Sequence, residues 1–179
     1  DVAAYIYNAN DGVKTTGGGA ITIQAEEAAS IDSITVAASL AAAIGITAVA
    51  VSGAGATAVN TIFTTTDAFV LNSNLQSAGA VTLAATDTAT INAIVAALTA
   101  SIAGGALGVG VSIGSAFALN TIGNDLQRAG VQAYVQGSTI HAAGALTQTA
   151  TVAEMVRAAV LAGSAAISVG SVGDRKSVV

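Results

Sequence analysis

The chain contains no cysteine, no proline and no tryptophan; only 3% of its residues are aromatic and only 8% are charged. Without cysteine, neither disulfides nor thiolate metal sites are available, and the redox compartment stays open. Average proline usage near 5% would give about nine in a chain of this length. Their absence fits uninterrupted backbone ladders, because proline removes a donor that a central strand needs. The five basic residues, Lys14, Arg128, Arg157, Arg175 and Lys176, form no patch that neutralises several phosphates, which argues against nucleic acid as a partner. The net charge of −5 favours solubility. What the chain does have is small and apolar: it is 53% hydrophobic, and alanine makes up roughly a quarter of it.

Those residues repeat. Asn60-Thr61-Ile62 recurs as Asn120-Thr121-Ile122, and residues 29–62 laid over residues 89–122 without a gap agree at 14 of 34 positions. The matches include Ile31/Ile91, Ile34/Ile94, Gly45/Gly105, Val49/Val109, Val51/Val111 and Ala58/Ala118. Ala4-Tyr5-Ile6-Tyr7-Asn8 likewise matches Ala68-Phe69-Val70-Leu71-Asn72 and Ala133-Tyr134-Val135-Gln136-Gly137. An alternating strand follows each time: residues 20–25, 80–85 and 145–150. The spacing is 60 from Ala25 to Ala85 and 65 from Ala85 to Ala150, and the extra residues are expected in the polar stretch 123–130. Self-similarity at this period marks an array of stacked supersecondary units. The copies divide as residues 1–59, 60–119 and 120–173. The first and last read as incomplete. Residues 174–179 (Asp-Arg-Lys-Ser-Val-Val) break the pattern, resemble a frame of a sequencing adapter, and read as a non-native tail on a metagenomic fragment.

Two segments, residues 33–66 and 88–124, carry no charge, and each exceeds the roughly 20 residues that a transmembrane helix needs. They are built from Ala, Gly, Ser and Thr rather than Leu, Ile and Phe, and have no aromatic belt, so no membrane span is expected. Residues 150–166 have helix propensity. In register with the other copies, however, they continue a period-two alternation: Ala25-x-Glu27-x-Ala29-x-Ile31 and Ala85-x-Asp87-x-Ala89-x-Ile91. Glycines such as Gly104, Gly105, Gly108 and Gly110 also weaken any helix. The reading is all-β, a parallel β-solenoid of 60–65-residue repeats, each divided into about three rungs of roughly 20 residues. Asn8, Asn60, Asn72, Asn120 and Gly137 are then expected at corners. The alternative is a stacked antiparallel array with the Ala/Gly runs as hairpins.

Chemistry is sparse. His141 is the only histidine, has no neighbouring nucleophile or ligand in the sequence, and reads as a surface residue. Glu26, Glu27, Asp32, Asp67, Asp87, Asp125 and Glu154 are spread out. Glu27, Asp87 and Glu154 occupy similar repeat positions, but with three rungs per repeat they would lie about 14 Å apart at ~4.8 Å per rung. That exceeds the spacing of a glycosidase pair, so they read as solvated surface charge. Asn8-Ala9-Asn10-Asp11-Gly12 lacks the later glutamate of an EF-hand loop, and the Gly-Gly-x-Gly-x-Asp calcium repeat is absent. Gly104-Gly105-Ala106-Leu107-Gly108 lacks the Gly-Lys-Ser/Thr ending of a phosphate loop. No catalytic residue, cofactor or metal ligand is therefore expected. One feature suits binding: Thr86, Thr88 and Thr90, and Thr147, Thr149 and Thr151, each place three hydroxyls on one side of a strand. Such rows suit ordered water in ice binding, or a sugar.

The Ala-Tyr-Ile/Val-x-Asn/Gly segment, the alternating Val-Thr-Leu-x-Ala strand, the Ala/Gly run and the Asn-Thr-Ile boundary together resemble repeats of giant secreted bacterial adhesins, of the filamentous-haemagglutinin-like and leukotoxin-like kind. The resemblance spans residues 2–173. It implies secretion to the bacterial cell surface and a non-enzymatic β-rich stalk whose partners within the chain are neighbouring repeats. Contacts to host surface or carbohydrate are then expected from other regions. A carbohydrate- or ice-binding face and a membrane-active toxin segment are the other expectations.

Overall fold

The computed structural model describes residues 1–123 and 130–170. Among these there is no helix; the segments are fourteen strands and their turns, and no helix is long and apolar enough to cross a membrane. The first repeat supplies β1 (Val2–Tyr7), β2 (Val13–Lys14), β3 (Ile21–Glu27), β4 (Ser30–Ile44) and β5 (Thr47–Ile62). The second supplies β6 (Thr65–Leu71), β7 (Asn74–Ser77), β8 (Val81–Asp87), β9 (Thr90–Gly104) and β10 (Leu107–Ile122). The third supplies β11 (Gly130–Gln136), β12 (Thr139–Ala142), β13 (Leu146–Val152) and β14 (Met155–Val169).

Equivalent strands pair in parallel. The sheets are β1-β6-β11, β2-β7-β12, β3-β8-β13, β4-β9-β14 and β5-β10. This is a parallel β-solenoid, and it corrects the expected rung size. One 60–65-residue repeat forms one rung of five strands, not three rungs of 20, so equivalent residues are adjacent across one strand spacing of ~4.8 Å. Register also shows a second place of length variation, between the first and second copies. The offset between first and second copies is 64 at Val2↔Thr66, 62 at Val13↔Leu75 and 60 at Ile21↔Val81. The first copy therefore holds extra residues in the turns before β2 and before β3. The expected variable loop at 123–130 lies almost wholly outside the described residues, as do Arg128, Asp125 and the 174–179 tail.

The chain forms two compact units. Unit 1 comprises Asp1–Ser30, Thr61–Thr90 and Thr121–Met155. Its three short sheets enclose one apolar core of Ile21, Ile23, Val70, Leu75, Val81 and Leu83, against which Val2, Ile6, Val135 and Ile140 pack. Period-two alternation delivers these residues inward from every strand. Asn8, Asn72 and Gly137 turn the corner after the first sheet with φ of 53°, 48° and 58°. Buried Ser73 follows: its Oγ donates to Leu71 O and accepts from Ala9 N, while Ser73 N donates to Ser138 Oγ. The corner is thus stitched from rung to rung by hydroxyls.

Unit 2 comprises Ile31–Asn60, Ile91–Asn120 and Val156–Val179. Here the chain folds back at Gly45-Ile46 and again at Gly105-Ala106, as the hairpin alternative expects. The two arms do not pair with each other, however. They lie in separate sheets, β4 with β9 and β14, β5 with β10, and meet face to face. Ala37, Ala56, Ala58, Val95 and Ala97 fill one part of the interface, and Ala41, Ala43, Ala48, Ala50 and Ala103 another. Ser52 Oγ donates to Ser39 Oγ across it at 2.9 Å, and Ser112 Oγ to Thr99 Oγ1 at 2.6 Å in the next rung. Small residues inside allow the sheets to approach closely; the bulky ones point out.

Asn60 and Asn120 are not corner residues. They lie within β5 and β10, and Asn60 Nδ2 donates to Asn120 Oδ1 at 2.8 Å, an amide ladder between rungs. The Asn-Thr-Ile recurrence marks this ladder rather than a turn.

Candidate functional site

The outer face of sheet β3-β8-β13 carries the hydroxyls. Its outward positions form three columns across the rungs: Thr22, Thr82 and Thr147; Gln24, Ala84 and Thr149; Glu26, Thr86 and Thr151. The structure therefore brings Thr86 beside Thr151, whereas Thr147 and Thr149 sit beside Thr82 and Ala84. Thr88 lies beyond the end of β8, exposed, with its Oγ1 donating to Glu27 O at 3.3 Å. Thr90 opens β9, where its N donates to Ala29 O. The two expected rows of three are offset by four residues and do not lie side by side. The complete threonine column is 22–82–147, and two of its members are found only by reading across rungs.

On the neighbouring sheets, columns of like residues recur. Tyr5, Phe69 and Tyr134 stack with ring centroids 5.1 Å apart at both steps and interplanar angles of 9° and 6°. Three of the six aromatic residues in the chain are committed to this ladder. Each inner ring face is covered by the next ring, which leaves the edges to solvent. Lys14, Gln76 and His141 form another column, with His141 exposed beside Gln76.

The acidic residues divide. Asp32 is exposed and accepts from Asn92 Nδ2 at 2.8 Å, and Glu154 is exposed between β13 and β14. Asp87 is different. It is 1% exposed, it points into unit 1, and its rung neighbours are Glu27 and Val152, not Glu154. This corrects the expectation of solvated charge at about 14 Å: Glu27 and Asp87 occupy the same inward position of adjacent strands, ~4.8 Å apart along the ladder. Thr64 Oγ1 donates to Asp87 Oδ2 at 2.6 Å, while Asp87 Oδ1 has no partner. The alternation Ala85-x-Asp87-x-Ala89 is the sequence signal for this burial, since it sets Asp87 on the apolar stripe.

In unit 2 a cleft of about 540 Å³ is lined by Val111, Ser112, Ile113, Gly114, Ala162, Gly163 and Ser164, with no charged side chain. Among the described residues no three His, Cys, Asp or Glu side chains gather as a metal cluster. Gly104 to Gly108 form the turn between β9 and β10 and the start of β10. Comparison with protein-family models, with characterised proteins and with solved structures finds no match.

Proposed function

We propose that this chain is a non-enzymatic stalk segment of an extracellular bacterial adhesin, in which repeats serve as one another's partners. The observation that carries the reading is the in-register pairing of equivalent strands from successive repeats, seen in every sheet. Such an array is stabilised chiefly by nearest-neighbour contacts and extends by adding copies. Antibodies against this chain test the reading on intact cells of its source. Surface labelling that protease shaving removes is expected; labelling that needs permeabilised cells would refute secretion.

The Thr22–Thr82–Thr147 column favours one second reading, a hydroxyl face that binds ice or carbohydrate. It predicts inhibition of ice recrystallisation, or glycan retention, that Thr82→Lys abolishes. Wild-type protein inactive in both assays removes it.

A further inference from the structure

We infer that Glu27, Thr64, Thr66 and Asp87 form a binding site for a hard divalent cation, Ca²⁺, inside unit 1. Three observations converge on it. Asp87 is 1% exposed and its Oδ1 receives no hydrogen bond. Thr66, fully buried on the same inward face of the chain as Thr64, also has an Oγ1 without a partner. Glu27 stands one rung from Asp87 and faces the same way, half-buried. Neither carboxylate has an ion-pair partner among the described residues.

Asp87 sits beside the apolar core with one carboxylate oxygen unpaired, and a buried charge is costly unless it is paired. Thr64 stabilises one oxygen of Asp87 by donating to Oδ2. That leaves Asp87 Oδ1, the Glu27 carboxylate and the Thr66 hydroxyl as oxygen ligands, the first and last of them buried without a hydrogen-bond partner among the described residues. Carboxylate and hydroxyl oxygens are hard ligands, which suits Ca²⁺ rather than a metal that prefers nitrogen or sulfur. Ca²⁺ tolerates irregular geometry and completes its shell with water or carbonyl oxygens, whereas Mg²⁺ demands a near-ideal octahedron. With only two carboxylates the site belongs to the weak class, with Kd about 10⁻⁴–10⁻³ M. The column changes along the array from Glu27 to Asp87 to Val152, so the site joins the first two rungs and not the third.

Calorimetric titration and thermal unfolding of the EDTA-stripped full chain test the inference. CaCl₂ at ten times Kd is expected to raise Tm by about 3–6 °C. NaCl at the same ionic strength should not. Asp87→Asn should abolish both the heat of binding and the Tm rise. Should Asp87→Asn fail to fold, Glu27→Gln is expected to fold and to weaken Ca²⁺ binding roughly tenfold or more. Glu26→Gln, on the outward side of the same strand, should leave binding unchanged. No heat of binding together with a Tm indifferent to Ca²⁺ and EDTA would overturn the site. Equal losses from Glu26→Gln and Glu27→Gln would do so too, since they would mark general surface-charge screening.

Discussion

Asparagine does two different jobs in this chain, and the backbone angle separates them. At Asn8 and Asn72 it occupies left-handed φ of 53° and 48°, a region that glycine fills at the equivalent Gly137. Asn72→Gly is therefore expected to keep the fold with little change in unfolding free energy. Asn72→Val should lose about 1–2 kcal/mol, because a β-branched side chain crowds the carbonyl there. Denaturant unfolding of the two variants checks the pair, and equal stability would sink the assignment. At Asn60 the backbone is an ordinary strand, and the value of the residue lies in its amide bond to Asn120. Asn60→Ala leaves a half-buried amide short of its partner and should cost about 1–2 kcal/mol. Sequence identifies all of these asparagines as special but cannot assign the roles, since either one suits a residue that bonds locally or stacks in register. Asp87 is the opposite case. Its place on an apolar stripe is readable from spacing alone, but its neighbour Glu27 is visible only once the rung length is known.

Among the elements, the period was legible and the rung was not. Identity at a spacing of 60 says which strands are equivalent, yet it does not say how many strands lie between one layer and the next. The five-strand rung follows from the long uncharged arms, which fold back at Gly45-Ile46 and Gly105-Ala106 instead of closing three short coils. The threonine column is hidden for the same reason, since a row along one strand is visible in sequence and a column across strands is not. The turns between arms stack closely. A Cβ added at Gly105 would overlap the Gly45 carbonyl oxygen, while one at Gly45 meets nothing closer than Thr47 O at 3.6 Å. Gly105→Ala should therefore destabilise by about 1–3 kcal/mol or displace the turn, and Gly45→Ala should be nearly silent; thermal melts compare them directly. The aromatic ladder makes a similar contrast. Phe69 stacks on two rings and Tyr5 on one. At about 0.5–1.5 kcal/mol per aromatic pair, Phe69→Leu should lose roughly twice the stacking stability of Tyr5→Leu.

At the scale of the whole molecule the main tension is in unit 2, whose interior is small and whose exterior is bulky. Alanine and serine fill the space between its sheets, while Ile34, Leu40, Ile44, Leu98, Val109, Ile113 and Phe117 stand outside. Ile44 and Ile46 at the first turn are 93% and 85% exposed, where a soluble sandwich would place polar side chains. Apolar surface on this scale exceeds what an isolated soluble domain ordinarily leaves uncovered, so something covers it. Lipid and a second copy of the chain are the two contenders, and backbone hydrogen bonding decides between them. Among the described residues sheet β5-β10 has two strands, each with an edge whose N–H and C=O groups need partners. Hydrocarbon supplies none, whereas another strand of the same pattern supplies a full ladder. Concentration-dependent self-association is accordingly expected in light scattering, and liposomes should not dissolve the assemblies into lipid-bound monomers. Leu98→Lys combined with Val111→Lys places charge on the outer faces of both sheets without touching the alanine interior. That double variant should shift the chain towards monomer while keeping its β-sheet circular dichroism. Wild-type chain that floats with liposomes as a monomer would reverse the choice and make the apolar faces a lipid-contacting surface.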